Sequence, residues 1–213
     1  KEQRPDIVHA HSSKAGFLAR LAARAAGVQR IYYSPRGYAF LQTDRSILIR
    51  SFYRLLERLA SLFGEIVAVS ESEAVLARGL GASKVRVVRD AYLGEGQPAA
   101  KGGEKVPKRG AVVCSSGRLT FARQPEAFVR LAQRLCDARS GVRCVWIGGG
   151  ENQDMIEEMS LDLGLTGRLE VTGWLSHKEA LRRLAEADVL VHYSRWDAIP
   201  NAVLEAMACG LPV

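Results

Sequence analysis

A chain of 213 residues with 47% hydrophobic and 25% charged side chains buries a real core and fits one large domain or two small ones. Its 20 glycines and 7 prolines exclude collagenous, low-complexity and coiled-coil readings, and no apolar run reaches the roughly 18 residues of a membrane span. The formal charge of +7 is uneven, with 19 basic and 10 acidic residues in 1–109 against 11 and 13 in 110–213; this suggests two units, the first suited to an anionic partner such as nucleotide phosphate, a lipid headgroup or nucleic acid.

The opening Lys1-Glu2-Gln3-Arg4-Pro5 has no apolar segment behind a basic start and no initiating methionine, so the chain reads as a piece of something longer. Strands are predicted at Asp6–Ala10, Arg30–Ser34, Glu65–Val69 and Val85–Val88, with helices at about 14–26, 45–63 and 71–79. A Gly- and Lys-rich stretch, Lys101–Gly110, marks a linker over 93–110. Beyond it come strands at Ala111–Ser115, Val142–Ile147, Leu169–Thr172 and Asp188–His192, alternating with helices at about 124–138, 151–163, 176–186 and 200–209. Such alternation predicts an α/β fold of two Rossmann-like parallel-sheet domains, 1–92 and 111–213, each incomplete. Ser70-Glu-Ser-Glu73 and Ser176-His-Lys-Glu179 have the capping-box form, and Pro125 suits a first helical position. Within 45–63, Arg45, Arg50, Arg54 and Arg58 interleave with Ile47, Leu48, Phe52, Leu55, Leu56 and Leu59. A helix of this kind can lie on an anionic membrane surface; the preferred reading packs it on the sheet with its arginines in water.

Cys114, Cys136, Cys144 and Cys209 lie in apolar runs without C-x-x-C spacing, which suits reduced thiols in a cytosolic setting. Ligands of such folds gather at the carboxyl ends of the strands, and three constellations fall there. Gly148-Gly149-Gly150-Glu151 follows a strand and opens a helix, a place for an anion or for a bare tight turn. It lacks the spacing of a dinucleotide-binding fingerprint. Gly117-Arg118-Leu119, with Arg123 just beyond, offers two guanidinium forks for a diphosphate or two solvated arginines. The third, Asp197-Ala-Ile-Pro-Asn-Ala-Val-Leu-Glu205, brings one carboxylate to a helix entry and another about a turn inside. These could hold ribose hydroxyls or balance charge on a sugar ring, or simply favour the helix dipole.

The run from Ala187 through Asp197 and Glu205 to Ala206-Met-Ala-Cys-Gly-Leu-Pro-Val213 resembles the donor-site signature of retaining family-4 glycosyltransferases of GT-B fold. The Gly117-Arg118-Leu119, Gly148–Glu151 and Thr172-Gly173-Trp174 elements follow in that family's order, and Pro5–Gly16 and Val69–Glu73 resemble its acceptor-domain motifs. The resemblance implies transfer of a sugar from a nucleotide diphosphate-sugar to an acceptor hydroxyl with retention, and no obligatory cofactor or metal. Its donor site would comprise Arg118, Arg123, Asp197 and Glu205 as catalytic groups, with Gly117, Gly148, Gly150, Glu151, Ala198, Ile199, Pro200 and Asn201 around the donor. Glu205 would meet the ribose, Asp197 the sugar hydroxyls. His9, His11 and Arg36 would face a glycan or lipid-linked acceptor. The sequence departs from the family in having Asp at 197 for Glu, Arg123 for Lys and Arg36 for His; a guanidinium cannot act as a general base, so Arg36 is read as touching phosphate or an anionic acceptor. Partners implied are the nucleotide-sugar and the acceptor but not nucleic acid, in the cytoplasm with peripheral contact at the inner membrane face. The alternative function is a non-catalytic sugar-nucleotide binding or scaffold module of the same fold, and the 213-residue piece is expected to be weakly active at most.

Overall fold

The computed structural model describes residues 5–92 and 110–213; apart from Gly110, the expected linker over 93–110 lies outside the described residues. The chain divides into two compact units, one of Lys1–Asp90 with Trp196–Ile199, the other of Ala91–Arg195 with Pro200–Val213.

In the first unit β1 (Ile7–His11), β2 (Arg30–Ser34), β3 (Glu65–Ala68) and β4 (Val85–Val87) form a parallel sheet in chain order. The connections are α1 (Ser13–Ala25), α2 (Ile47–Ala60) and α3 (Glu71–Gly79), with a 3-10 turn at Ala39–Leu41 ahead of α2. Two of these helices start where a hydroxyl meets a free amide: Ser46 Oγ accepts from Ile49 N at 3.4 Å and Ser70 Oγ from Glu73 N at 3.2 Å. Tyr33, Tyr38, Phe40, Ile66, Ala77 and Leu80 build the core.

An ion pair runs through that core. Arg20 of α1 and Glu57 of α2 are both buried and meet at 2.7 Å. Tyr33 of β2 donates its hydroxyl to Glu57 Oε1 at 2.8 Å, its ring lies 3.7 Å beneath the Arg20 guanidinium, and Arg20 Nε donates to Gly16 O at 3.0 Å. Burial first, then the Glu57 carboxylate, raises the Tyr33 phenol far above its ordinary pKa. Helix α2 faces inward through Glu57 and Ala60, with Tyr53 and Leu56 half-buried, and leaves Arg54 and Arg58 in solvent as expected; contrary to the packed-helix expectation, Leu48, Phe52, Leu55 and Leu59 are exposed. Of its arginines, Arg50 is half-buried, donating Nε to Phe40 O at 3.0 Å.

The second unit holds β5 (Val112–Ser116), β6 (Arg143–Ile147), β7 (Leu169–Val171) and β8 (Val189–Leu190), parallel in the order β7-β6-β5-β8. Its helices are α4 (Pro125–Ala138), α5 (Gln153–Asp162), α6 (His177–Glu186) and α7 (Asn201–Ala208). Every residue of β5 is buried, as a central strand covered on both faces requires. Phe128 and Trp146, edge to face at 5.6 Å, join Leu119, Ile156 and Leu165 in one cluster; Cys114, Ile147, Leu181, Leu184 and Leu190 form another. All four cysteines are buried outside any disulfide, and burial pushes the Cys144 thiol up to about 12. Strand β8 is shorter than the predicted Asp188–His192, although Val191 N still reaches Cys114 O at 2.8 Å. Helix α5 starts at Gln153, after a turn at Glu151 and Asn152. Because β6 lies on one side of β5 and β8 on the other, the sheet has a topological switch point at the carboxyl ends of β5 and β8, where an open α/β sheet receives its ligand.

Candidate functional site

At that switch point the loop after β5 is clamped to the loop after β6. Gly117 N donates to Ile147 O at 3.0 Å, Leu119 N to Gly149 O at 3.0 Å, and Asn152 N to Leu119 O at 3.2 Å. A Cβ on Gly148 would lie 2.3 Å from Gly117 O, and one on Gly150 2.5 Å from Leu119 O. Glycine is thus demanded at 148 and 150 by the neighbouring backbone, a requirement separate from any ligand. The Gly148 amide itself donates to Thr172 Oγ1 at 3.0 Å.

Around this junction the cations expected from the sequence converge. Arg118 extends into solvent and pairs with Glu151 at 3.1 Å, both more than half exposed. Arg123 closes a 3-10 turn (Phe121–Arg123); its Nη1 is 3.2 Å from His192 Nε2, and its Nε is 3.7 Å from the place of a Gly117 Cβ. Arg195, just past β8, ties the third loop in: its amide donates to Ala122 O at 2.9 Å, its guanidinium covers the Phe121 ring at 4.2 Å, and its Nη2 meets Glu126 at 3.1 Å. Gly117, Arg118, Arg123, Gly148, Gly150 and Glu151 therefore share one end of the sheet.

Pro200 precedes the first residue of α7, Asn201, and Glu205 sits a turn inside, largely buried. Its Oε1 lies 3.1 Å from His177 Nε2 at the start of α6. Tyr92 is near enough that, after burial, the Glu205 carboxylate helps raise its phenol pKa. Asp197 accepts from the Ala198 amide at 2.9 Å, and this segment, Trp196–Ile199, groups with the first unit. His177 escaped the sequence reading, which used it only as the second letter of a capping box. Half of that box forms: Ser176 Oγ accepts from Glu179 N at 3.3 Å, but the Glu179 carboxylate goes to Arg182.

In the first unit the acceptor-side candidates also meet at strand ends. The His9 and His11 rings stack at 4.2 Å, and His9 Nε2 is 3.0 Å from Ser34 Oγ. Burial, then His11 and Arg36, lowers the His9 pKa below its usual value. Arg36 holds Asp90 through two bonds of 2.9 and 2.8 Å. That partner, 54 positions away, left no sequence signal, and it answers the Arg36 charge from within the protein. Ser12 and Arg36 have φ of 63° and 51°, strained positions for side-chain-bearing residues of a kind that cluster where function is housed.

The loop carrying Arg36 is pinned by Glu73, which is buried. Its Oε1 accepts from Gly37 N at 3.0 Å and its Oε2 from Val69 N at 2.9 Å, so the carboxylate of this capping box serves both the helix entry and a loop 36 residues upstream. Glu73→Ala is expected to cost about 1.5–3 kcal/mol, the value of hydrogen bonds to a charged group, read as a lower urea midpoint. A loss no larger than that of the exposed Glu71→Ala would contradict the pinning role.

Among the described residues no group of His, Cys, Asp and Glu could hold a metal ion, and no helix is long and apolar enough to cross a membrane. Comparison with known proteins gives the family. Residues 97–213 match the family described as Glycosyl transferases group 1, and residues 1–90 match the Glycosyl transferase 4-like domain. The Escherichia coli UDP-Gal:alpha-D-GlcNAc-diphosphoundecaprenol alpha-1,3-galactosyltransferase is 31% identical over 226 residues, covering 100% of this chain and 58% of the relative. The lipopolysaccharide core biosynthesis glycosyltransferase LpsE of Rhizobium meliloti is 30% identical over 132 residues, 61% of this chain and 37% of the relative. The chain thus spans little more than half the length of the first of these relatives. Among solved structures, Anabaena Alr3699/HepE in complex with UDP and glucose superposes with a TM-score of 0.76 at 20% identity, over 98% of this chain and 58% of the other. Sucrose-phosphate synthase from Thermosynechococcus elongatus gives 0.77 at 18%, over 98% and 55%. With two parallel-sheet α/β units of GT-B type and a family match across its second half, the chain belongs to the group 1 glycosyl transferases.

Proposed function

We propose that this chain carries the donor site of a retaining glycosyltransferase that moves a sugar from a nucleotide diphosphate-sugar to an acceptor hydroxyl in bacterial surface polysaccharide or glycolipid synthesis. The observation that carries the reading is the convergence of Arg118, Arg123 and the Gly117–Gly148 junction at the switch point of the second sheet. Transfer breaks the bond between the anomeric carbon and the diphosphate oxygen, whose electron pair and charge remain on the diphosphate. The acceptor oxygen forms the new bond with the configuration kept, and its hydroxyl proton passes to the departing diphosphate oxygen. Arg118, released from Glu151, and Arg123 answer that charge, while the amides leading into α7 at Ile199 and Asn201 offer donors to the same phosphates, that of Ala198 being held by Asp197. Glu205 takes the ribose hydroxyls and Asp197 those of the sugar. In this reading 111–213 is the donor side, and 1–92, with His9, His11 and Arg36, is the acceptor side.

A uridine nucleotide is the donor class assigned, because the Escherichia coli relative is named for UDP-Gal. A lipid-linked glycan is the acceptor class on the same ground, with the protein in the cytoplasm and peripherally at the membrane. Calorimetric titration with UDP-, GDP- and ADP-sugars tests the donor half. Selective UDP-sugar binding is expected, weakened roughly tenfold to hundredfold in Arg118→Ala and in Glu205→Ala by loss of charge-assisted bonds. No nucleotide-sugar bound at millimolar concentration would sink the reading.

A further inference from the structure

We propose that His177 is a positioning residue of the donor site, its imidazole holding the Glu205 carboxylate in the orientation that accepts the ribose hydroxyls; the role rests on the donor reading above. The contact is direct, with His177 Nε2 3.1 Å from Glu205 Oε1. A carboxylate offers only lone pairs, so Nε2 carries the hydrogen and donates it. That bond takes one lone pair of Oε1 and fixes the plane of a carboxylate that otherwise rotates, which leaves Oε2 and the second lone pair of Oε1 to accept side by side. Two vicinal hydroxyls on one ring need two acceptors at a set separation. An ordered carboxylate supplies them without the entropy cost of immobilising the side chain when the ligand arrives.

Both ends of this contact are fixed within the second unit. Glu205 lies a turn inside α7 and is largely buried. His177 is the first residue of α6, a start set by Ser176, whose hydroxyl accepts from Glu179 N at 3.3 Å. Helix α6 in turn packs on β5, β6 and α7. Ahead of it, the segment 172–174 is tied to the glycine turn after β6: Thr172 Oγ1 accepts from Gly148 N at 3.0 Å, Gly148 and Gly173 form an antiparallel bridge, and a Cβ on Gly149 would lie 3.0 Å from the Trp174 side chain. One short run of chain thus leads from the turn assigned to the diphosphate to the carboxylate assigned to the ribose, and His177 is its last link. A nucleoside diphosphate carries ribose and phosphates at a fixed spacing, so the two subsites must keep theirs.

A histidine that only stabilised the start of α6 would affect every ligand alike, whereas a positioning residue acts through the ribose hydroxyls. Calorimetry on the full-length protein with UDP and with 2′,3′-dideoxy-UDP separates the two roles. The parent is expected to prefer UDP by about thirtyfold or more, the worth of hydrogen bonds to a charged group. His177→Ala should weaken UDP by about tenfold while leaving dideoxy-UDP within about twofold, and His177→Gln, whose amide donates from nearly the same place, should recover most of the loss. With UDP-sugar as substrate, KM should rise by about tenfold and kcat change by less than about twofold, because the ribose is held equally before and during transfer. His177 is exposed, so unchanged thermal melts confirm that the variants fold. Equal losses for the two nucleotides, or no loss, overturn the proposal. A parent that prefers UDP and a His177→Ala variant that prefers it as strongly removes the positioning role alone. A parent that binds both nucleotides equally removes the ribose assignment of Glu205 and the role with it, and one that binds neither removes the donor site as well.

Discussion

Glu57→Leu is expected to lower the stability of the first unit by about 3–5 kcal/mol, the cost of stranding a buried charge whose partner has been removed. The substitution leaves the Arg20 guanidinium at the centre of the core, where Glu57 now accepts from it at 2.7 Å and from Tyr33 at 2.8 Å. Against a total of about 5–15 kcal/mol for a domain, that loss would bring the unit close to unfolding at room temperature. The double variant Arg20→Met/Glu57→Leu should regain most of it, since an apolar pair of similar volume replaces a buried ion pair at little net cost. Urea denaturation followed by circular dichroism measures both. A single variant as stable as the parent, or a double variant no better than the single, would mean that the pair does not organise this core. Gly16 belongs to the same network: a Cβ there would lie 2.2 Å from the Tyr33 ring, so the helix approaches the sheet only because that position is bare.

Gly148→Ala should be nearly as damaging, and in the second unit. The residue has φ of +131°, a conformation L side chains rarely adopt, and its added methyl would meet Gly117 O at 2.3 Å. Backbone strain of about 1–3 kcal/mol and overpacking of about 1–3 kcal/mol add to a loss of roughly 2–6 kcal/mol. Because the displaced loop is the one that carries Arg118, UDP-sugar affinity should fall at least tenfold in protein that still folds. Gly164→Ala is the control: its φ is +66° but nothing lies within 4 Å of the new methyl, so only the strain remains. Denaturation midpoints and calorimetry report the two effects. Equal losses at 148 and 164 would show that the clamp between the loops after β5 and β6 carries no weight of its own.

Most elements were legible before the structure because their signals are local. The period-2 and period-3.6 patterns located each strand and α-helix of the described residues to within a few residues, though not the two 3-10 turns, and Ser70, Ser176 and Pro125 stand at the helix starts expected of them. Hydroxyl-to-amide capping joins residues three apart, so it is written in adjacent letters. The same holds for the cluster at the end of the second sheet: Gly117, Arg118 and Gly148–Glu151 follow β5 and β6, and a parallel sheet brings the ends of neighbouring strands together whatever the loops contain.

What pairs with what at the strand ends of either unit was not legible. Glu205 with His177, Arg36 with Asp90, and Glu73 with Gly37 join positions 28 to 54 apart, and no spacing rule links them. The largest divergence is α2. Its leucines, read along the chain, predict a face packed on the sheet. In the folded unit Arg20, 37 positions earlier, sits fully buried at the sheet and needs a carboxylate, and Glu57 supplies it. The inward side of α2 carries Tyr53, Leu56 and Ala60 beside Glu57, and the other apolar row, Leu48, Phe52, Leu55 and Leu59, is left outward with Arg54 and Arg58. Composition and periodicity record how much of a helix is apolar, whereas which of two apolar rows faces inward also depends on the buried charge beside it, and that charge is set by chain segments brought together only on folding.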